Sequence, residues 1–201
     1  MHTNWVEDFG LVFERITAGA SNCLVDIVMM GREKCGKTEL VEFYFGDHSS
    51  YQVEEQEMRV QYTINLSNTA FRIWILDVKD IEFIKLAEFR DKTVFLFCYD
   101  VNDPESLADL EERWIPEFMA RSMNNMYWFL VGIKHDPNVN QSTVNGTNRR
   151  DGKMATRERV KDLLKRFRLG WTIECSLDDR DSMANVFQSV IDTVYPRTTV
   201  N

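Results

Sequence analysis

Apolar residues gather in short runs along this chain, and the period of each run predicts its structure. Residues 23–30 are nearly continuously apolar, with one acidic interruption at Asp26, as in a buried strand. Residues 39–45 combine good helix formers with aromatic ends and predict a helix. Between 58 and 66 the pattern alternates, with Val60, Tyr62, Ile64 and Leu66 sharing one face of a half-exposed strand. Ser67, Asn68 and Thr69 form a turn, and the run 71–76 ending at Asp77 completes a hairpin. Residues 80–91 return to helical spacing through Ile81, Ile84, Lys85 and Glu88. The unbroken run 93–99 predicts a central strand covered on both faces. A long helix follows, with Asp103 as its N-cap and Pro104 in its first turn. Residues 126–133 read as another buried strand, and 137–152, rich in Asn, Gly and Ser, as an exposed loop. Val160, Leu163, Leu164 and Phe167 give 156–167 one apolar helical face; 171–175 reads as a short strand and 183–195 as the last helix.

Strands alternating with helices, without internal repeats, specify an α/β domain on a largely parallel sheet. Ligands of such sheets bind beyond the C-terminal ends of the strands. Loops 31–38, 77–81, 133–136 and 175–178 all follow strands, so they converge on one edge. Ahead of the first strand, Trp5, Phe9, Val12 and Ile16 recur at helical spacing. That extension, residues 1–21, reads as a helix or arm packed on the domain's own surface, with a partner-binding helix as the alternative. Its few basic residues argue against a membrane-surface helix.

Composition narrows this picture. At 201 residues the chain suits one compact domain, and 44% apolar residues with 13 Phe and 5 Trp supply its core. The net charge of −8 disfavours nucleic acid and anionic membrane as partners, while leaving room for a local phosphate pocket built from a few short-range donors. Cys23, Cys98 and Cys175 fall in or at the ends of apolar runs and read as buried small residues in a reducing cytosol; Cys35 lies within a glycine loop. The start of the chain shows no secretory pattern, no run is long enough for a membrane span, and there is no cysteine after Cys175 to carry a prenyl group. The expectation is a cytoplasmic protein without a direct lipid anchor, reaching membranes only through partners.

The most specific motif is Gly31-Arg32-Glu33-Lys34-Cys35-Gly36-Lys37-Thr38, the pattern G-x-x-x-x-G-K-[ST] between a strand and a helix. Gly31 and Gly36 let backbone approach phosphate oxygens. The N–H groups of Glu33, Lys34, Cys35 and Gly36 and the following helix N-terminus face the anion. Lys37 would neutralise the outer phosphates, and Thr38 would offer its hydroxyl to Mg2+.

With this loop in place, residues 23–195 resemble the small GTPases of the Ras superfamily. The run Phe97-Cys98-Tyr99-Asp100-Val101-Asn102-Asp103-Pro104-Glu105-Ser106 is similar to Rab proteins. Trp114-Ile115-Pro116-Glu117 and Glu174-Cys175-Ser176 are similar to Rho proteins. The resemblance implies a six-stranded, mostly parallel sheet with helices on both faces, spanning 22–196 as a single G domain with a tail at 197–201. It also implies GTP or GDP and Mg2+ as ligands, effector or regulatory proteins as partners, and work in signalling or vesicle traffic. In the base-binding motif, Asp136 would accept from guanine and Lys134 would lay its stem along the base. Ile133 stands where the family has Asn or Thr, losing a tie of about 1 kcal/mol. Ser176 would help close the base pocket, and the Leu177 N–H would reach the guanine O6. Phe45 or Tyr51 would lean on the base.

The switch machinery departs from the family. Asp77 stands where a carboxylate reaches Mg2+; Asp80, the candidate phosphate contact of this segment, replaces the glycine whose N–H meets the γ-phosphate, and Ile81 replaces the water-positioning glutamine. No glycine or glutamine occurs between 77 and 93, and the first-switch window 47–57 has no threonine. Glu33 replaces a glycine and would crowd the γ-phosphate unless turned outward. The sequence therefore reads as a regulatory guanine-nucleotide-binding protein with very weak hydrolysis and no catalytic residue to name. The alternative is a pseudo-GTPase scaffold that binds nucleotide constitutively or not at all.

Overall fold

A computed structural model describes residues 23–46, 51–56, 59–66, 69–76, 93–121, 126–134, 149–167 and 171–195. Seven strands form one sheet: β1 (Cys23–Met30), β2 (Tyr51–Gln56), β3 (Arg59–Leu66), β4 (Thr69–Leu76), β5 (Thr93–Asp100), β6 (Tyr127–Lys134) and β7 (Thr172–Ser176), in the order β2-β3-β4-β1-β5-β6-β7. From β4 to β7 every pair is parallel, and β2-β3-β4 is an antiparallel meander at one edge. The sheet thus has one strand more than the six expected. The additional strand is β2, drawn from the polar stretch that would carry the first switch. A backbone ladder running from Tyr51↔Ile64 to Gln56↔Arg59 holds it, and such a ladder needs no apolar alternation from the added strand.

Strand alternation sends successive residues to opposite faces, and helices cover both. On one face Val25, Ile27, Met29, Val94, Leu96, Cys98, Phe129, Val131 and Ile133 pack against α1 (Lys37–Phe45) and α5 (Arg180–Val194). On the other, Val28, Met30, Phe95, Phe97 and Tyr99 meet α2 (Pro104–Asp109), a π-helical turn (Leu110–Trp114), α3 (Ile115–Arg121) and α4 (Arg149–Phe167). Asp103 caps α2 as its sequence predicts, accepting from the Glu105 N–H at 3.1 Å, with Pro104 in the first turn. The π turn directly precedes Ile115-Pro116. A proline within a helix removes one N–H and crowds the carbonyl four residues back, here that of Glu112, and the wider turn accommodates both. Glu111 in this turn accepts from Arg159 at 2.9 Å and Arg166 at 3.1 Å, tying it to α4.

α4 begins at Arg149, seven residues before the expected start at 156, so 149–152 are helical rather than loop. A single glycine such as Gly152 costs about 1 kcal/mol in a helix, less than breaking a helix whose other residues favour it. The expected helix at 80–91, the remaining loop residues 137–148 and the extension 1–21 lie outside the described residues. No described helix is long and apolar enough to cross a membrane.

Candidate functional site

Parallel pairing of β1 with β5 places the loop 31–38 over the C-terminal end of β5. Gly31 has φ +148°, and a Cβ on it would lie 2.1 Å from the Cys98 carbonyl oxygen, so only glycine lets the loop leave β1 here. Gly36, at φ +100°, occupies the N-cap of α1 in a left-handed conformation. Its carbonyl accepts the Leu40 N–H at 2.9 Å, which begins the helix. Between them Lys34 adopts φ +63°, the one positive φ at a non-glycine position among the described residues. A side chain in that region costs about 1 kcal/mol.

Lys37 is 2% exposed, and its ammonium is held by the loop itself. It donates to the carbonyls of Gly31 at 2.9 Å and Arg32 at 2.8 Å and contacts the Cys35 sulfur at 3.6 Å. The charge is thereby fixed inside the curl of the loop. A phosphate oxygen entering there would compete with the weakest of the three contacts, the one to sulfur. Thr38 is half-buried in the first turn of α1, and Glu33 is exposed, so its carboxylate is solvated. Cys35 is buried and donates its S–H to the Cys98 carbonyl at 3.4 Å. Burial pushes the Cys98 thiol well up, with the Lys37 charge opposing, and pushes Cys175 up to about 12. These two buried thiols stay protonated at neutral pH.

Lys134, exposed at the end of β6, and Ser176, half-buried at the end of β7, are paired in the parallel register. Here the structure corrects an expectation. The Leu177 N–H donates to the Lys134 carbonyl at 3.0 Å, so it closes the β6–β7 junction instead of pointing toward a base. The Ser176 N–H is likewise taken by the Ser182 hydroxyl at 2.9 Å. Phe45 is corrected as well: it is buried, with its ring 4.7 Å from those of Tyr44 and Phe187, so it serves the core and not the site. Tyr51 opens β2. Asp77, Asp80, Ile81 and Asp136 lie outside the described residues. Among the described residues no group of three or more His, Cys, Asp or Glu is placed to hold a metal. Of the two expected Mg2+ contacts, Thr38 alone is described, and its hydroxyl in the first turn after the phosphate loop suits that role.

Two sets of residues were not anticipated. Arg32, half-exposed, lies 3.5 Å from carboxylate oxygens of both Asp103 and Asp109, linking the loop to α2. These partners lie more than seventy positions away in the chain, and no local pattern signals them. Ser182 also donates to the Asp179 carbonyl at 2.8 Å, beside the cap that Asp179 makes to the Asp181 and Ser182 N–H groups. Its place in the Asp179-led capping run was a readable signal. On the outer side of this turn, a cleft of about 410 Å³ is lined by Glu42, Phe43, Leu177, Asp178, Arg180 and Met183.

Comparison with known proteins agrees with the strand–loop–helix geometry. A model of the Ras family matches residues 26–196. The chain is also 26% identical over 173 residues to the human (Homo sapiens) Rho-related GTP-binding protein RhoD, spanning 84% of this chain and 81% of that protein.

Proposed function

Because the chain belongs to the Ras family, we propose that it is a guanine-nucleotide-binding regulatory protein of small GTPase type with very slow GTP hydrolysis. The buried Lys37 ammonium, fixed inside a glycine-turned loop between β1 and α1, carries this reading. Gly31 and Gly36 shape the loop, its N–H groups and the start of α1 supply donors, and Thr38 and Asp77 would hold Mg2+. Bound Mg2+ would neutralise phosphate charge. Lys134 and Asp136 would select guanine, in keeping with the GTP-binding relative. Slow turnover follows from Ile81, which cannot position water as a glutamine does, and from Asp80, whose carboxylate stands where the family has a glycine although its backbone N–H could still meet phosphate. Intrinsic hydrolysis is then on the order of 10⁻⁴ s⁻¹ or slower. Effector or regulatory proteins would read the nucleotide state, in the cytoplasm or on membranes reached through partners.

One chromatographic run on nucleotide released by heat from freshly purified protein tests the ligand. GDP or GTP supports the reading, and adenine nucleotide would sink it. Protein that purifies empty and binds neither guanine nucleotide would instead be the interaction scaffold, a reading favoured by the engaged Leu177 amide. Single-turnover hydrolysis near 10⁻² s⁻¹, the rate of proteins carrying a catalytic arginine in cis, would contradict slow turnover.

A further inference from the structure

The α1/α5 face of the sheet is incompletely covered at the edge opposite the phosphate loop. Phe129 is buried there, but Tyr127, two residues earlier and so on the same face, is 40% exposed. Trp171, just ahead of β7, is 64% exposed, with its ring 6.5 Å from that of Phe129 and tilted by 31°. The Leu130 N–H donates to the Trp171 carbonyl at 3.1 Å, which fixes Trp171 beside β6. α5 stops at Val194, so the apolar layer ends in two aromatic side chains open to water with Phe129 between them. Scattered exposed apolar residues need no explanation, but adjacent aromatics continuing a core layer form a docking surface.

The chain itself supplies a matching segment. Trp5, Phe9, Val12 and Ile16 recur at helical spacing, and β1 starts at Cys23 on this same edge of the sheet. The registers Ile27↔Val94 and Val94↔Tyr127 set Tyr127 level with Ile27, two strands from β1. From Cys23 this is about 13 Å along the strands and about 10 Å across them. Residues 17–22 span up to about 20 Å when extended, which covers the distance of about 16 Å. A helical stripe from Trp5 to Ile16 would add about 16 Å, enough to continue from Tyr127 to Trp171, one strand further on.

We propose that residues 5–16 dock through Trp5, Phe9, Val12 and Ile16 on the Tyr127–Phe129–Trp171 patch of their own chain, completing the core layer at the edge away from the nucleotide. This proposal does not depend on what the phosphate loop binds. The test uses the purified 201-residue protein carrying Trp171→p-benzoylphenylalanine, with Tyr127→p-benzoylphenylalanine as a second probe in case the first fails to fold. Irradiation is expected to link the probe to residues 5–16 of the same chain, with a yield independent of protein concentration. Trp5→Ser combined with Phe9→Ser should reduce that yield several-fold. Links between two copies would assign the patch to self-association and overturn the proposal. Links confined to other parts of the chain, or no link from either folded variant, would overturn it too.

Discussion

The two ends of the candidate site are organised on different principles. At the phosphate end, the decisive contacts join residues far apart in sequence. Gly31 lies where the Cys98 carbonyl leaves no room for a Cβ, Cys35 donates to the same oxygen, and Arg32 reaches Asp103 and Asp109. The Lys37 ammonium faces inward, toward the position a phosphate would take. At the base end the donors are satisfied within the protein: Leu177 pairs with Lys134 across the β6–β7 junction, while Ser176 to Ser182 and Ser182 to Asp179 close within a single turn. The first end spends its geometry on an anion. The second spends its amides on closing a turn and starting α5. Affinity should therefore reside at the phosphate end, and on the proposed function base discrimination would fall to the Asp136 carboxylate.

The sharpest way to break this comparison is Gly31→Ala. Overlap with the Cys98 carbonyl and the positive φ together should cost about 3 kcal/mol or more, read as a lower denaturant midpoint. A stability within about 0.5 kcal/mol of the parent would show that the loop yields easily. Next, Lys37→Met should weaken guanine-nucleotide binding by about 10- to 100-fold, the worth of a charge-assisted hydrogen bond, in a titration calorimeter. Ser176→Ala, at the base end, should change the same affinity by less than about threefold, because the Ser176 contact shown is made by its backbone. Equal losses in the two variants would dissolve the distinction. Ser182→Ala should lower stability by about 1 kcal/mol through its lost bonds to Ser176 and Asp179, leaving nucleotide affinity unchanged. The smallest effect is a gain. Lys34→Gly relieves the left-handed backbone, but offsets this by raising unfolded-chain entropy, and should shift the thermal midpoint by no more than a few degrees. A clear loss of stability would mean the Lys34 side chain does something its exposure does not suggest.

Much of the phosphate end could be read from the sequence because its signals are local. A strand, two glycines, a lysine and a helix at fixed offsets predict β1, the loop and α1 together, and Asp103-Pro104 marks the start of α2. What escaped reading was set elsewhere in the chain. β2 has the composition of a solvated acidic loop, and only pairing with β3 makes it a strand. The extent of α4 depended on neighbours overriding Gly152, and the π turn on relief of Pro116. The Leu177 amide was assigned to a base from family resemblance, whereas the backbone carbonyl of Lys134, presented by β6–β7 pairing, takes it. Arg32 shows the same limit: its carboxylate partners are brought near by the β1–β5 crossover.

The split between the antiparallel meander and the parallel remainder of the sheet also carries a consequence for how the chain reaches its native state. The ladders of β2, β3 and β4 close within residues 51–76 and need only short loops, so they can form early. The contact of Cys35 with Cys98 closes a separation of 63 residues and must wait for β1 to find β5. The phosphate cradle is then among the last parts of the molecule to be assembled. A ligand that needs it would act on the finished protein, slowing unfolding while leaving the refolding rate nearly unchanged. Stopped-flow refolding with and without guanine nucleotide would show this order directly, and a ligand-accelerated refolding phase would reverse it.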